Sequence, residues 1–158
     1  MSSSRGYVFE VRRSFDDETA FFAKMGRFFA SATVRRECGG YPLNDGPRHR
    51  WFTVRQENDS RILGFVSIEH QADEVRIREG YLRVEARDKG LFRELRTRVL
   101  AYIDERGLAA KVQVLQSNVH LLTPYGFEVH SVRGQWVTLK RERYVESRAA
   151  DQSCCSVV

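Results

Sequence analysis

The sequence predicts an α/β protein of the mixed α+β kind, a single domain with a mostly antiparallel central sheet flanked by helices. Apolar residues recur at every second position in some segments, which predicts strands, and every three or four positions in others, which predicts helices. These segments follow the order β-α-α-β-β-β-α-β-α-β-β. The chain of 158 residues has the size of one domain, which we assign to residues 1–142.

The N-terminal part is predicted to form one strand and two helices. Tyr7, Phe9 and Val11 alternate with other residues, as in a strand with one buried face. Ser14 to Glu18 contains capping residues and the acids typical of a first helical turn. The apolar residues that follow have helical spacing and predict a core face rather than an aromatic binding box: Phe21, Phe22, Met25, Phe28 and Phe29. A second short helix is predicted to end near residues 38–40.

The middle of the chain is predicted to form three antiparallel strands. A loop rich in glycine and proline, residues 39–47, joins the helices to this part of the sheet. The strands are predicted over residues 51–55, 62–69 and 75–84, because turn-forming residues separate three segments rich in strand-forming residues. The glycine- and proline-rich loop at residues 39–47 is of a kind that can cover a ligand.

The C-terminal part contains the strongest helix prediction, from Leu91 to Arg106, with one apolar stripe and Gly107 at its end. Residues 112–115 predict a short strand. Residues 118–122 predict at most a short helix, because Pro124 disfavours its continuation. A final hairpin is predicted over residues 127–132 and 135–141.

Composition places the chain among globular proteins and sets limits on its partners. Hydrophobic residues make up 42% and charged residues 30% of the chain, which is enough to bury a core. No apolar run approaches the roughly 20 residues of a membrane helix, and no signal peptide is recognised, so we expect a cytoplasmic protein without a membrane partner. The net charge of +5 leaves room for a nucleotide cofactor, a nucleic acid or an acidic protein.

The cysteines predict neither a disulfide framework nor a metal site. Cys38, Cys154 and Cys155 are odd in number, and none has a histidine or cysteine at metal-ligand spacing. The chain also contains no G-x-S-x-G elbow and no P-loop. Covalent catalysis is therefore not predicted, and no metal is expected.

The strongest functional signal is the turn Arg87-Asp88-Lys89-Gly90, which opens the long helix. The first backbone N–H groups of a helix have no intrahelical partner, and the helix dipole places about half a positive charge there. A pyrophosphate satisfies both, and Gly90 lets it approach the backbone. Lys89 and Arg93 add positive charge, while Arg87 either contacts phosphate or braces the turn.

This stretch resembles the cofactor motif of the GCN5-related N-acetyltransferase (GNAT) superfamily, Q/R-x-x-G-x-G/A, which Arg87 and Gly90 match. Gly126 and Phe127 resemble the G-F pair after the family's last helix. The resemblance implies a GNAT-type sheet, acetyl-CoA or another acyl-CoA as cofactor, and acyl transfer to an amine. It also implies that the following residues hold the cofactor: Leu82, Val84, Arg87, Asp88, Lys89, Gly90, Leu91, Phe92, Arg93 and Asn118.

Three positions depart from the family pattern, and one of them, Asp88, replaces a common glycine at a place where it can cap the helix. Phe92 stands where the family usually has glycine or alanine; because it shares a stripe with Leu95, we expect its ring to face the sheet and leave the backbone donors free. Leu122 stands where many members place a tyrosine that protonates the leaving thiolate. Tyr125 is the nearest phenol and is the candidate acid. A tyrosine beside a glycine is also common as a simple core ring.

The attacking amine must lose a proton, since an unperturbed amine has a pKa of about 10. Glu74 and Glu79, on the strand that leads to the cofactor turn, are candidate bases, as are Glu69 and His70 before them. Alternation places Glu74 and Glu79 on opposite faces, so at most one faces the acceptor. We take Glu74 as the candidate base. Direct attack, with the proton lost to water, is an equal alternative.

The acceptor site of this family is shaped by the first two helices, their loop and the last hairpin. Tyr41, Arg48 and Trp51 lie in this region and are the candidate substrate contacts. A basic surface with aromatic residues suits an acidic or phosphate-bearing acceptor better than a polyamine. A small amine, a protein amine and an amine on a nucleic-acid base stay open, as does a solvated loop.

A different class of function is also compatible with these residues. Phe92 and Leu122 fit a catalytically inactive GNAT-fold protein that binds a protein or nucleic acid. The oligomeric state is left open, with a homodimer as one option. Residues 143–158 predict a flexible tail. Its Cys155 is fourth from the end, as in prenylation, but Ser156 and Val158 do not fit that motif, which favours a chance match.

Overall fold

The computed structural model describes residues 6–144, and the predicted flexible tail beyond Tyr144, with Cys155, lies outside the described residues. The predicted order of elements is confirmed. The strands are β1 Tyr7–Arg12, β2 His49–Gln56, β3 Ile62–His70, β4 Glu74–Leu82, β5 Ala109–Leu115, β6 Glu128–Arg133 and β7 Trp136–Arg141, and the helices are α1 Glu18–Ala30, α2 Ala32–Glu37 and α3 Leu91–Glu105.

Several boundaries differ from the prediction, and two of these differences lie near the long helix α3 and the segment after β5. The strand predicted to reach residue 84 ends at Leu82, and Val84–Ala86 forms a 3-10 turn. The short helix predicted at residues 118–122 is replaced by two 3-10 segments, Gln116–Leu121 and Thr123–Tyr125. Pro124 occupies the start of the second segment, and because proline has no backbone N–H it cannot extend a regular helix from the first.

All seven strands form one sheet in the order β1-β2-β3-β4-β5-β7-β6. Five of the six neighbouring pairs are antiparallel, and the pair β4 and β5 is parallel. A parallel pair requires a crossover connection, which α3 supplies. The single parallel pair of the described sheet lies in its middle, and α3 lies closest to the neighbouring strands β2 and β3.

The helices cover both faces of the sheet, each over its own apolar cluster. On one face α3 buries Leu91, Leu95 and Ile103 against the strands. On the other face α1 and α2 bury Phe21, Met25 and related residues against Trp51 and Phe65. The phenylalanines of α1 thus mainly form a core face, as the spacing predicted. No helix within residues 6–144 has the length and apolar character needed to cross a membrane.

Candidate active site

The central feature of the sheet is an opening between the two parallel strands. The pairing of β4 with β5 ends at Ile77 and Val112. Both strands continue beyond this point, β4 to Leu82 and β5 to Leu115, where β5 still pairs with β7. The strands therefore diverge, and among residues 6–144 no strand pairs with the backbone of this part of β4 on the β5 side.

A β-bulge in β4 explains why the strands separate. Val66 pairs with Gly80 and Ile68 pairs with Ile77, so two residues of β4, Arg78 and Glu79, lie opposite the single residue Ser67. A bulge of this kind bends the strand that contains the extra residue. Hydrogen bonds fix it, because the Glu79 backbone N–H donates to Ser67 Oγ at 3.2 Å and Ser67 Oγ donates to Glu79 Oε2 at 3.0 Å.

Two cavities meet at this opening from opposite faces of the sheet. The first, of about 270 Å³, lies on the face covered by α3 and is called the α3-side cavity. The second, of about 310 Å³, lies on the face of α2 and is called the α2-side cavity. Both are lined by the same four residues of the diverging strands, Ile77, Arg78, Glu79 and Gln113. A molecule in one cavity can therefore approach a molecule in the other through the opening.

The start of α3 presents a row of free backbone donors. Gly90 is the N-cap with φ of 77°, and Asp88 also has a left-handed backbone, with φ of 64°. Arg87 donates its N–H to Val84, and the next donor with a backbone acceptor is Glu94. Within the described residues, the backbone N–H groups of residues 88–93 thus have no backbone acceptor, which suits an anion.

The charged side chains of this turn have different roles. The Arg87 guanidinium donates to the Leu82 carbonyl at 2.8 Å and to Glu37 of α2 at 2.7 Å. Arg87 was expected either to contact phosphate or to brace the turn, and in the structure its guanidinium braces the turn. Lys89 and Arg93 are exposed, and no carboxylate of the described part lies within 4 Å of either cation.

Phe92 packs as the helical stripe predicted, with its ring toward the sheet. A Cβ placed on Gly80 would lie 2.7 Å from Phe92 Cζ, so the absence of a side chain at Gly80 makes room for this ring. Phe92 and Gly80 both line the α3-side cavity, together with Asn118 and Leu122. The ring therefore forms one wall of the cavity and does not cover the N–H groups of its own helix turn.

The remaining predicted cofactor contacts lie at the edges of this region. Leu91 is fully buried, and Leu82 is 8% exposed, so their side chains belong to the core. The Leu82 carbonyl already accepts one hydrogen bond, from Arg87. Val84 is 69% exposed in the turn after β4. Its side chain is open to solvent beside the start of α3.

The two candidate carboxylates of β4 lie at different places relative to the opening. Glu74 is in the paired part of the strand, where it forms an ion pair with Lys111 at 3.2 Å. Glu79 lines both cavities. The bulge removes the simple alternation of faces, so Glu79 joins Ser67 on the α2 face. The structure thus brings Glu79, and not Glu74, to the opening.

Cys38 lines the α2-side cavity but is poorly suited to act as a nucleophile. Its Sγ donates to the Gly80 carbonyl at 3.6 Å. Burial and the nearby charges of Glu79 and Glu37 raise the pKa of the Cys38 thiol to about 12. The thiolate is the nucleophilic form, so Cys38 stays protonated near neutral pH. This agrees with the absence of a nucleophile motif in the sequence.

Tyr125 lies beside the α3-side cavity. The Arg96 guanidinium lies 5.4 Å from the Tyr125 ring centroid and 5.8 Å from that of Phe92. Arg96 itself lines the cavity. Tyr125 itself does not line the cavity and contacts it only through Arg96. The Tyr125 backbone carbonyl accepts a hydrogen bond from Arg141 Nε at 2.8 Å.

The three predicted substrate contacts are placed very differently. Tyr41 is 78% exposed and lines the α2-side cavity. Arg48 is exposed at the opposite end of β4 from the opening, since its carbonyl accepts from His70. Trp51 is a correction: its side chain is 0% exposed within the core cluster of α1, so it cannot contact a substrate.

Several residues of the site were not singled out from the sequence, and among them are Gly80, Arg96 and Trp136. Gly80 carried a usable signal, because a glycine inside a strand often marks a bulge or a close approach of other groups. Arg96 and Trp136 line the cavities through tertiary packing, and no local pattern marks them.

Within residues 6–144, no group of three potential ligands could hold a metal ion.

Comparison with known proteins agrees with this architecture. No model of a protein family and no curated protein sequence matches the chain, so the likeness is one of fold. The chain has the fold of the GCN5-related N-acetyltransferases.

Three solved structures illustrate the likeness. An acyl-CoA N-acyltransferase from Pseudomonas aeruginosa has a TM-score of 0.66 and 14% identity, covering 85% of this chain and 99% of its own. The ribosomal-protein-S18-alanine N-acetyltransferase of Escherichia coli has a TM-score of 0.62 and 15% identity, covering 89% and 97%. The PaiA N-acetyltransferase of Thermoplasma acidophilum, solved with coenzyme A, has a TM-score of 0.54 and 16% identity, covering 87% and 99%.

Proposed function

We propose that this protein is an acyl-CoA-dependent N-acyltransferase, with acetyl-CoA as the first cofactor to test. The main support is the wall of four residues shared by the two cavities. A thioester in the α3-side cavity and an amine in the α2-side cavity would meet at Glu79, between the diverging strands. Holding two reactants in contact is itself a large part of catalysis. Two solved proteins with the same fold are named as an N-acyltransferase and an N-acetyltransferase, which supports the same class of activity here.

The start of α3 is the proposed binding site for the pyrophosphate of CoA. Its free N–H groups and the helix dipole stabilise an anion, and Lys89 and Arg93 add mobile charge. The pantetheine arm would enter the α3-side cavity past Phe92 and Asn118, where the unpaired backbone of β4 offers hydrogen bonds. Bound acyl-CoA supplies the activated acyl group as a thioester.

Glu79 is the proposed base. Its carboxylate lies at the opening and is positioned by Ser67, so it can accept a proton from an amine in the α2-side cavity. Arg78 is 3.7 Å from Glu79 but has a shorter ion pair with Glu69, at 3.2 Å. Glu79 is thus only partly neutralised by the protein, which leaves it able to attract an ammonium group.

CoA should raise the melting temperature of the wild-type protein, and Gly90→Glu should abolish this rise. At about 100 times its Kd, a ligand stabilises the folded state by about 2.7 kcal/mol, which corresponds to several degrees. Glutamate at residue 90 places a carboxylate where the pyrophosphate binds. The measurement is a thermal melt with and without CoA.

Gly134→Glu is the matched control, since Gly134 also has positive φ, at 62°, and lies in the hairpin turn of β6 and β7. It should lose stability without CoA but keep the CoA-dependent rise. Absence of any rise in the wild-type protein at high CoA would contradict the proposal. A rise without thiol release for any amine would instead favour a binding protein that has lost activity.

Tyr125 is the proposed acid for the leaving thiolate. Because a thiol has a pKa of about 8.5, the thiolate leaves fairly well without help, and Tyr125→Phe should lower kcat only about tenfold. The rise in melting temperature with CoA should be unchanged, since Tyr125 is not proposed to hold the cofactor. Steady-state thiol release measures the effect, and an unchanged kcat would show that water or another group donates the proton.

A further inference from the structure

The α2-side cavity has two exposed aromatic side chains at its walls. Tyr41, from the loop after α2, is 78% exposed, and Trp136, at the start of β7, is 38% exposed. The loop approaches Trp136 closely, because a Cβ on Gly39 would lie 3.8 Å from Trp136 Cη2. Exposed aromatic rings in the lining of a cavity favour a ligand with a flat or apolar body.

Charged residues lie side by side across the strands on the same face of the sheet. Glu69 of β3 pairs in register with Arg76 of β4, which pairs with Lys111 of β5, which pairs with Lys140 of β7. Directly opposed residues of neighbouring strands point to one face. Three adjacent strands thus each contribute a cation to this face, interspersed with Glu69 and Glu74, and of these cations Arg76 lines the α2-side cavity.

Arg76 is the cation of this row that lines the cavity without a partner. Its neighbours are engaged elsewhere, since Glu69 binds Arg78 at 3.2 Å and Lys111 binds Glu74 at 3.2 Å. Within residues 6–144, Arg76 has neither an ion pair nor a side-chain hydrogen bond, although it is only partly exposed. A partly buried guanidinium is stabilised by an anion, and its planar donors match a carboxylate or a phosphate.

We propose that the acceptor is an amine that carries an anionic group, a carboxylate or phosphate, on the same molecule, and that Arg76 binds this anion. This inference rests on the proposed acyl transfer. Glu79 and Arg76 line the same cavity. The bulge places Glu79 beside Ser67 and Arg76 opposite Glu69, which is two residues of β3, or about 7 Å at roughly 3.3 Å per residue. The amine lies at Glu79, the anion lies toward Arg76, and the body lies against Tyr41 and Trp136. A cavity of about 310 Å³ suits a small molecule.

The reaction in this arrangement balances without any further reactant. The amine nitrogen forms a bond to the acyl carbon while the carbon–sulfur bond of the thioester breaks. The amine proton passes to Glu79 and then to water, and the thiolate takes up a proton as CoA leaves. The anionic group takes no part in the chemistry and acts only in binding.

The test compares matched amines that differ only in the anionic group. One pair is an aromatic amino acid and its amide, and a second is an aminoalkyl phosphate and the corresponding amino alcohol. Thiol release from acetyl-CoA should give a kcat/KM at least tenfold higher for the anionic member of a preferred pair. The pair with the larger ratio identifies carboxylate or phosphate as the anion.

Arg76→Gln should reduce this ratio to near one, through a higher KM for the anionic amine and an unchanged KM for the neutral one. Arg76→Glu should reverse the preference toward diamines. Arg106→Gln, at the exposed end of α3, is the matched control and should keep the wild-type ratio. The rise in melting temperature with CoA verifies that each variant is folded.

Binding is measured in parallel, as the change in melting temperature caused by each amine in the presence of CoA. Equal use and equal binding of both members of each pair by the wild-type protein, or a preference that survives in Arg76→Gln, would overturn the inference and leave acyl transfer standing. Arg76-dependent binding of the anionic amine without thiol release would support the ligand class and contradict acyl transfer.

Discussion

Replacing Glu79 with glutamine is expected to lower kcat for acyl transfer at neutral pH by about a hundredfold or more, the usual contribution of a general base. Glutamine keeps the shape of the side chain and can still accept the hydrogen bond from Ser67. The change therefore removes the negative charge and the proton acceptor, and leaves the bulge in place. Thiol release at saturating acetyl-CoA measures the loss.

The pH dependence separates a base from a merely structural carboxylate. An amine with a pKa of about 10 is almost fully protonated at neutral pH, so without Glu79 the rate should depend on the free amine in solution. The rate of Glu79→Gln should then rise steadily with pH and recover part of the wild-type rate in alkaline buffer. The wild-type rate should reach its plateau at a lower pH than the rate of the variant.

Glu74→Gln is the matched control, because Glu74 is on the same strand but is paired with Lys111 away from the opening. It should retain nearly the wild-type rate and profile. A small loss of kcat in Glu79→Gln, with a pH profile parallel to that of the wild type, would contradict the role of Glu79 as the base. That result would favour positioned attack with the proton lost directly to water.

The fold could be predicted because its determinants are local. Alternation in β1, the helical stripe of α3 and the turn residues between strands each appear within about ten residues of sequence. The order of elements also allows α3 to be the crossover between β4 and β5, which form the one parallel pair among the described strands. The prediction was less accurate where a single residue decides where an element ends, as Pro124 does after the 3-10 segment Gln116–Leu121.

The site was only partly predictable, because its geometry depends on residues that are distant in sequence. The turn at residues 87–90, which we propose binds an anion, could be singled out because its residues are contiguous in sequence. The position of Glu79 could not be found from alternation, since the bulge arises from pairing with Ser67, twelve residues away. Arg87 likewise has its partner on α2, at Glu37, fifty residues earlier in the chain.

Trp51→Ala is expected to destabilise the folded protein by about 3–5 kcal/mol, the range for deleting a large buried aromatic side chain. The ring is fully buried and lies against three phenylalanines, with centroid distances of 5.9 Å to Phe21, 5.2 Å to Phe29 and 5.2 Å to Phe65. Its Nε1 donates to Asp45 at 2.9 Å. The substitution therefore creates a cavity and leaves an acceptor without its donor.

Urea denaturation monitored by circular dichroism measures this loss against a total stability of about 5–15 kcal/mol. Trp136→Ala is the control, because Trp136 is the only other tryptophan of the chain and is 38% exposed. It should cost clearly less stability while raising the KM for the amine, since Trp136 lines the α2-side cavity. Unchanged stability in Trp51→Ala would show that the ring is not part of the core, because the loss of a buried ring destabilises a protein. If the KM for the amine also rose in this variant, Trp51 would be a substrate contact instead.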